Sequence, residues 1–102
     1  MLRKVFLGFI RLHILHHAAL GPVCGVDLIR ELRRHGYKLS PGTLYPTLHE
    51  LAALGYLHQT SRVVSGRRRK EYTVTAAGRH ALDVARRRLA ELSRELLQGA
   101  DA

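Results

Sequence analysis

The chain begins with apolar residues nearly all round a helical path. Between residues 4 and 19, Val5, Phe6, Phe9, Ile10, Ile14, Leu15 and Ala18 cover well over half the circumference. A helix of that kind needs burial on more than one side. One small domain can cover one side, and a second subunit can cover the other. Gly21-Pro22 stops the pattern. Over 24–35 the apolar stripe narrows to Leu28, Ile29 and Leu32, with Arg30, Glu31, Arg33 and Arg34 outward, and Gly36 is a natural C-terminal stop. A third helical period follows in Ser40–Leu54, where Leu44, Leu48 and Leu51 recur at spacings of four and three. Ser40 is expected to cap this helix through its hydroxyl, with Pro41 at the first helical position. The opposite face collects Gly42, Thr43, Pro46, His49, Glu50 and Ala53, small at its start and carrying one charge. Pro46 is expected to loosen the first turn, Pro41 to Tyr45, leaving regular helix beyond it.

After Gly55 the period drops towards two. Leu57 to Val64 is rich in β-branched and polar residues, and Arg69 to Thr75 alternates Tyr72 and Val74 with polar neighbours. The pattern predicts a hairpin turning through Ser65-Gly66-Arg67-Arg68, packed on the helices because an isolated hairpin is barely stable. Thr75 is a good cap for a last helix over Ala76–Leu97. There Leu82, Ala85, Leu89, Leu92 and Leu96 fall at three-four spacing, a coiled-coil-like seam, and Arg87 or Arg88 can pair with Glu91. About 22 residues span roughly 33 Å at 1.5 Å per residue, more than so small a domain covers, so this helix is expected to be a dimerisation arm. The expected fold is mainly α with a small β-hairpin: a winged helix-turn-helix over 1–75 and a C-terminal dimerisation helix over 76–102. The last residues, Gly99 to Ala102, are expected to fray.

Charge sharpens this picture. Lys and Arg number 17 against 8 Asp and Glu, a formal net charge of +9, which favours polyanionic partners such as nucleic acid or an anionic membrane surface. The cations concentrate at the hairpin, in Arg67, Arg68, Arg69 and Lys70 with Arg62 nearby. Clustering there, after a helix-turn-helix, favours a phosphate-binding wing over a merely solvated loop. It also disfavours a membrane-surface role, which needs an amphipathic basic face. No apolar run is long enough to span a bilayer, the basic start MLRKVFLGFIRLHIL lacks a cleavage site, and the single Cys24 fits a reducing compartment; a cytoplasmic location is expected.

The segments GPVCGVDLIRELRRHGYKLSPGTLYPTLHELAALGYL and VSGRRRKEYTVTAAGRHAL, in this order, resemble the PadR family of bacterial winged-helix transcriptional regulators. SPGTLYPTLHEL is the most specific part, GRRRKEYTVTAAG supports it independently, and the likeness covers nearly the whole chain. The resemblance implies a dimeric repressor whose third helix enters the major groove while the wing touches an adjacent groove or backbone. The short tail is similar to the subgroup with one C-terminal dimerisation helix. Carried over by position, Ser40, Gly42, Thr43, Tyr45, Pro46 and His49 fall on the recognition helix and Gly66, Arg67, Arg68, Arg69 and Lys70 on the wing. Lys38, just ahead of the helix, completes the expected DNA-binding set. The expected dimerisation set is Phe6, Phe9, Leu82, Ala85, Leu89, Leu92 and Leu96. Cys24 stands where a histidine or tyrosine often occurs, and helix one carries three histidines; both leave the inducing signal open.

His13 and His17 are four apart on one helical face, with His16 at its margin. That spacing can hold a borderline metal, but no carboxylate or cysteine is close in sequence. The preferred reading is partly buried histidines at a subunit junction, with no cofactor. Cys24 is read as a small buried hydrophobe in preference to an oxidant sensor. No phosphate loop, paired carboxylates or activated nucleophile point to an enzyme, and the few aromatics do not form a stacking platform for single strands. The expected partners are therefore double-stranded DNA and a second copy of the chain, with an unidentified small-molecule effector able to act by changing the spacing of the recognition helices. The rival expectation is a winged-helix adaptor that meets an acidic protein.

Overall fold

The computed structural model describes residues 1–99. Its order is α1 (Leu2–Leu20), α2 (Gly25–Arg34), α3 (Pro41–Ala53), β1 (Leu57–Val64), β2 (Arg67–Val74) and α4 (Ala76–Gln98). This is a mainly helical winged helix-turn-helix followed by a long C-terminal helix. The core lies where the three predicted stripes converge: Ile14 of α1, Leu28 and Leu32 of α2, and Leu44 and Leu48 of α3 are essentially solvent-free. Tyr72 of β2 closes it from the wing side. Val23, just before α2, exchanges both backbone hydrogen bonds with Tyr72 (3.0 and 2.7 Å). The hairpin is thereby bound to the helices by backbone as well as by side chains, which supplies the support an isolated hairpin lacks.

The turn is tighter than the sequence pattern suggests. Val64 pairs with Arg67 in an antiparallel ladder running to Leu57 opposite Val74, so only Ser65 and Gly66 lie between the strands. Both have positive φ, 51° and 79°, the geometry of a two-residue turn that matches strand twist. Arg67 and Arg68 therefore belong to β2, which starts two residues earlier than expected.

Two expectations about α3 also change. Pro46 causes no loosened first turn: the helix runs unbroken from Pro41 to Ala53. Leu44, Leu48 and Leu51, all buried on both sides of the proline, hold the backbone helical although one amide is missing. Ser40 has the extended backbone of a cap but makes no side-chain capping bond. Its hydroxyl lies 3.5 Å from the Thr43 hydroxyl instead.

α4 begins inside the fold and ends outside it. Thr75 caps it as expected, its Oγ1 accepting from the Gly78 amide at 3.0 Å. Gly78 is buried, and a Cβ there would run into the Tyr56 carbonyl. Leu82, assigned by spacing to the dimer seam, is only 4% exposed and sits in the protein's own core. Beyond it the apolar side chains emerge: Leu89 is 38% exposed, Leu92 48% and Leu96 69%. The local pairing of Arg87 or Arg88 with Glu91 is not formed; among the described residues the ion pair on α4 is Arg86–Asp83 at 3.3 Å. The projecting arm stretches the molecule to 58 × 29 × 20 Å. Gly99 follows α4 with φ 63°, and Ala100 to Ala102, expected to fray, lie outside the described residues.

Candidate nucleic-acid interface

The outward face of α3 is built as its pattern requires. With Leu44, Leu48 and Leu51 inward, Gly42, Tyr45, Pro46, His49 and Glu50 are exposed, with Ser40 and Lys38 exposed at the approach. Thr43 is half-buried, and its carbonyl accepts from the Thr47 hydroxyl at 2.8 Å. Pro41 has no amide N–H, and the Thr43 and Leu44 amides donate to the Ser40 carbonyl (3.1 and 3.0 Å). With no side-chain cap from Ser40, the Gly42 amide and the positive end of the helix dipole stay available to an external acceptor. The one acidic residue of the face, Glu50, is held by Arg11 of α1 through three hydrogen bonds of 3.2–3.3 Å. A guanidinium on that carboxylate offsets the charge that would otherwise repel phosphate.

Tyr45 faces two ways. It is 36% exposed, yet a Cβ on Gly25 would come within 2.6 Å of its ring. The phenol end of the ring packs against Gly25 at the start of α2, and glycine is the residue that admits it. Tyr45 thus supports α2 as well as the outward face of α3.

The wing's cations divide into two groups. Arg67, Arg68 and Lys70 are exposed and form no ion pair among the described residues. Arg69 and Arg62 are tied down: Arg69 reaches Asp27 of α2 at 2.6 Å, and Arg62 holds Glu71 at 3.0 Å. Glu71 is buried, 7% exposed, and Arg69 approaches it at 3.8 Å. Arg69, expected to be a tip cation, therefore joins a chain of alternating charge that fixes the hairpin to α2. The free cations line a cleft of about 650 Å³ between the wing, the start of α2 and Tyr45, with Arg30 on its far wall. Cys24 lies buried at its base, as the ordinary reading of that residue expects.

A second polar group lies behind the interface. His13 and His17 of α1 meet His35 at the end of α2, which the sequence leaves eighteen residues away. Burial first, then the neighbouring imidazoles of His35, His17 and His16, hold His13 below the ordinary histidine range. Burial also lowers His17, with Glu31 pulling the other way. Arg11, Gly25, Asp27 and His35 escape a reading by periodicity, because each acts on a residue distant in sequence or through space that no local pattern encodes.

Comparison with known proteins accords with this arrangement. Residues 14–84 match the family described as "Transcriptional regulator PadR-like family". The transcriptional regulator Rv3488 of Mycobacterium tuberculosis is 60% identical over 98 residues, covering 96% of this chain and 92% of that protein. The crystal structure of a PadR-like transcriptional regulator from Bacillus cereus superposes with a TM-score of 0.83 at 28% identity, covering 94% of this chain and 98% of the other. A PadR family regulator from Eggerthella lenta, 23% identical with a TM-score of 0.82, covering 96% and 87%, shares the fold. With its wing, its α3 face and these relatives, the chain belongs to the PadR-like family and is a transcriptional regulator, not an enzyme.

Proposed function

We propose that this regulator binds duplex DNA as a homodimer on an inverted repeat, inserting α3 of each subunit into the major groove, and that it represses transcription. The observation that carries the reading is the joint exposure of the α3 face and of Arg67, Arg68 and Lys70, with Tyr45 of α3 and these three cations lining one cleft. A helix with small residues at its start can approach base edges. Unpaired cations beside it supply phosphate contacts, which position a protein without reading sequence. Thr43 and His49 are assigned to base edges or phosphates, Lys38 and Ser40 to the backbone at the start of α3, and Gly42 and Pro46 to close approach. Tyr45 keeps its hydroxyl for a phosphate and its ring for α2. Gly66 allows the tight tip, and Arg69 orients the wing.

The dimer is assigned to the arm, residues 76–102, while residues 1–75 form the DNA-binding domain. Support comes from the apolar residues left uncovered in one chain: Phe6 and Phe9 on α1, and Leu89, Leu92 and Leu96 on α4. Ala85, half-buried, lies between the covered and uncovered parts, and Leu82 supports the seam from within the core.

A mobility-shift titration with the DNA immediately upstream of the reading frame tests the proposal. Two retarded half-sites should bind together, and log affinity should fall with log salt by about 0.9 per phosphate neutralised. Binding that is weak, independent of sequence and insensitive to salt would move an acidic protein partner ahead.

A further inference from the structure

We propose that His13, His17 and His35 form a binding site for one divalent transition metal of the borderline, nitrogen-preferring class, with Zn²⁺ as its representative. One ring nitrogen from each of the three lies within 4.8 Å of the others. The nitrogens of a tetrahedral zinc site stand about 3.4 Å apart, given Zn–N bonds near 2.0–2.1 Å, so rotation of the imidazoles alone can close the set. His13 and His17 sit on successive turns of α1 with near-parallel rings, 14° apart. The His35 ring lies over His13 at 4.7 Å between centroids. Three imidazoles so gathered suit Zn²⁺, Ni²⁺, Co²⁺ or Cu²⁺ and do not suit the oxygen-seeking Mg²⁺ or Ca²⁺.

Two independent observations point the cluster at a cation. His17 Nε2 is buried without a hydrogen-bond partner, an orphaned atom in a place where such atoms are normally satisfied. Glu31, one turn before His35 on α2, brings a carboxylate oxygen to 3.8 Å from His35 Nε2. It can serve as a fourth ligand or as the outer partner that orients His35. Its other oxygen is shared with Arg34 at 3.3 Å, so ligation by Glu31 would release that arginine to solvent. Half-exposed His35 leaves an entry path. His13 and His17 have no third donor close in sequence; the fold supplies one in His35. An ion here would join α1 to the last turn of α2, directly before the Gly36–Leu39 link into α3.

Calorimetric titration of the full chain with ZnCl₂ alone, after chelator treatment, tests the site. The result expected is one ion per chain, with a Tm raised by the metal because it binds the folded state. His35→Gln alters a half-exposed cap residue and should preserve the fold, checked by circular dichroism. It should weaken binding by at least about tenfold, the lower end of what losing even an outer partner costs. His13→Gln should do the same, while His58→Gln, on β1 and outside the cluster, should leave affinity unchanged. Co²⁺ should give the intense visible absorption of tetrahedral coordination in the parent and lose it in His35→Gln. No binding by the parent would overturn the proposal. So would equal affinity in the parent and the folded His35→Gln and His13→Gln chains, or loss of binding on Cys24→Ser alone.

Discussion

The winged body and the outer half of α4 are both rich in leucine, and they use it in opposite ways. In the body Leu28 and Leu32 of α2 and Leu44 and Leu48 of α3 are at most 1% exposed, packed in one core with Ile14 of α1. On α4 beyond Ala85, Leu89 still lies beside Phe9 and Leu12 of α1, but Leu92, Leu96 and Leu97 are progressively uncovered, and Leu97 is 83% exposed. The same side chain at the same helical spacing is core in one place and uncovered in the other. What differs is whether the chain returns to cover it. The body covers its leucines within one copy; the arm leaves its own exposed, and in the proposed dimer a second copy covers them.

Substitutions can press on each side of this contrast. The largest effect belongs in the body: Leu48→Ala should cost about 2–5 kcal/mol of unfolding free energy, as deletions at sealed core sites do, read by chemical denaturation. Gly78→Val belongs with it, since a side chain there meets the Tyr56 carbonyl. Next comes the arm. Leu89→Arg with Leu92→Arg should leave the folded body intact and yield monomers by sedimentation. DNA affinity should fall by about 10²-fold or more, because two linked half-sites gain from effective concentration. A double variant that still sediments as a dimer at micromolar concentration would break the contrast.

Much of this was legible in the sequence, for a physical reason. The stripes of α1, α2 and α3 are periodic, so both their burial and their meeting can be read locally. The four-three spacing of α4 was legible too, but spacing does not say which leucine is buried in its own domain; Leu82 is, and Leu96 is left 69% exposed. The hairpin was legible from its alternation and Ser-Gly pair, while its exact turn depended on Ser65 adopting positive φ, which serine does reluctantly. What escaped are pairings across long stretches of chain, Arg11 with Glu50, Arg69 with Asp27 and His35 with His13. A charge or an imidazole announces no partner until the fold brings one near.

The wing offers a finer version of the same contrast, between free and committed cations. Replacing Arg67, Arg68 and Lys70 by Ala should weaken specific and non-specific duplexes by similar factors. It should also lower the salt slope by about one unit per lost contact per subunit, measured by fluorescence anisotropy at several salt concentrations. Losses confined to the specific duplex, with an unchanged slope, would mean that the wing reads bases. The smallest effect is reserved for Arg69→Ala. It removes the half-exposed tie to Asp27 and should cost about 1 kcal/mol or less of stability, against no measurable loss for Arg68→Ala; equal stabilities would remove Arg69's anchoring role.

The central claim is that α3 reads DNA, and the pair Thr43→Ala with His49→Ala tests it most directly. Both side chains lie at or near the outward face, away from the leucine stripe, so the thermal midpoint should stay nearly unchanged. Affinity for the operator, measured by anisotropy against a scrambled duplex of equal length, should lose about 1–3 kcal/mol of discrimination per base contact removed, with non-specific binding retained. A folded double variant that discriminates as well as the parent would contradict the claim.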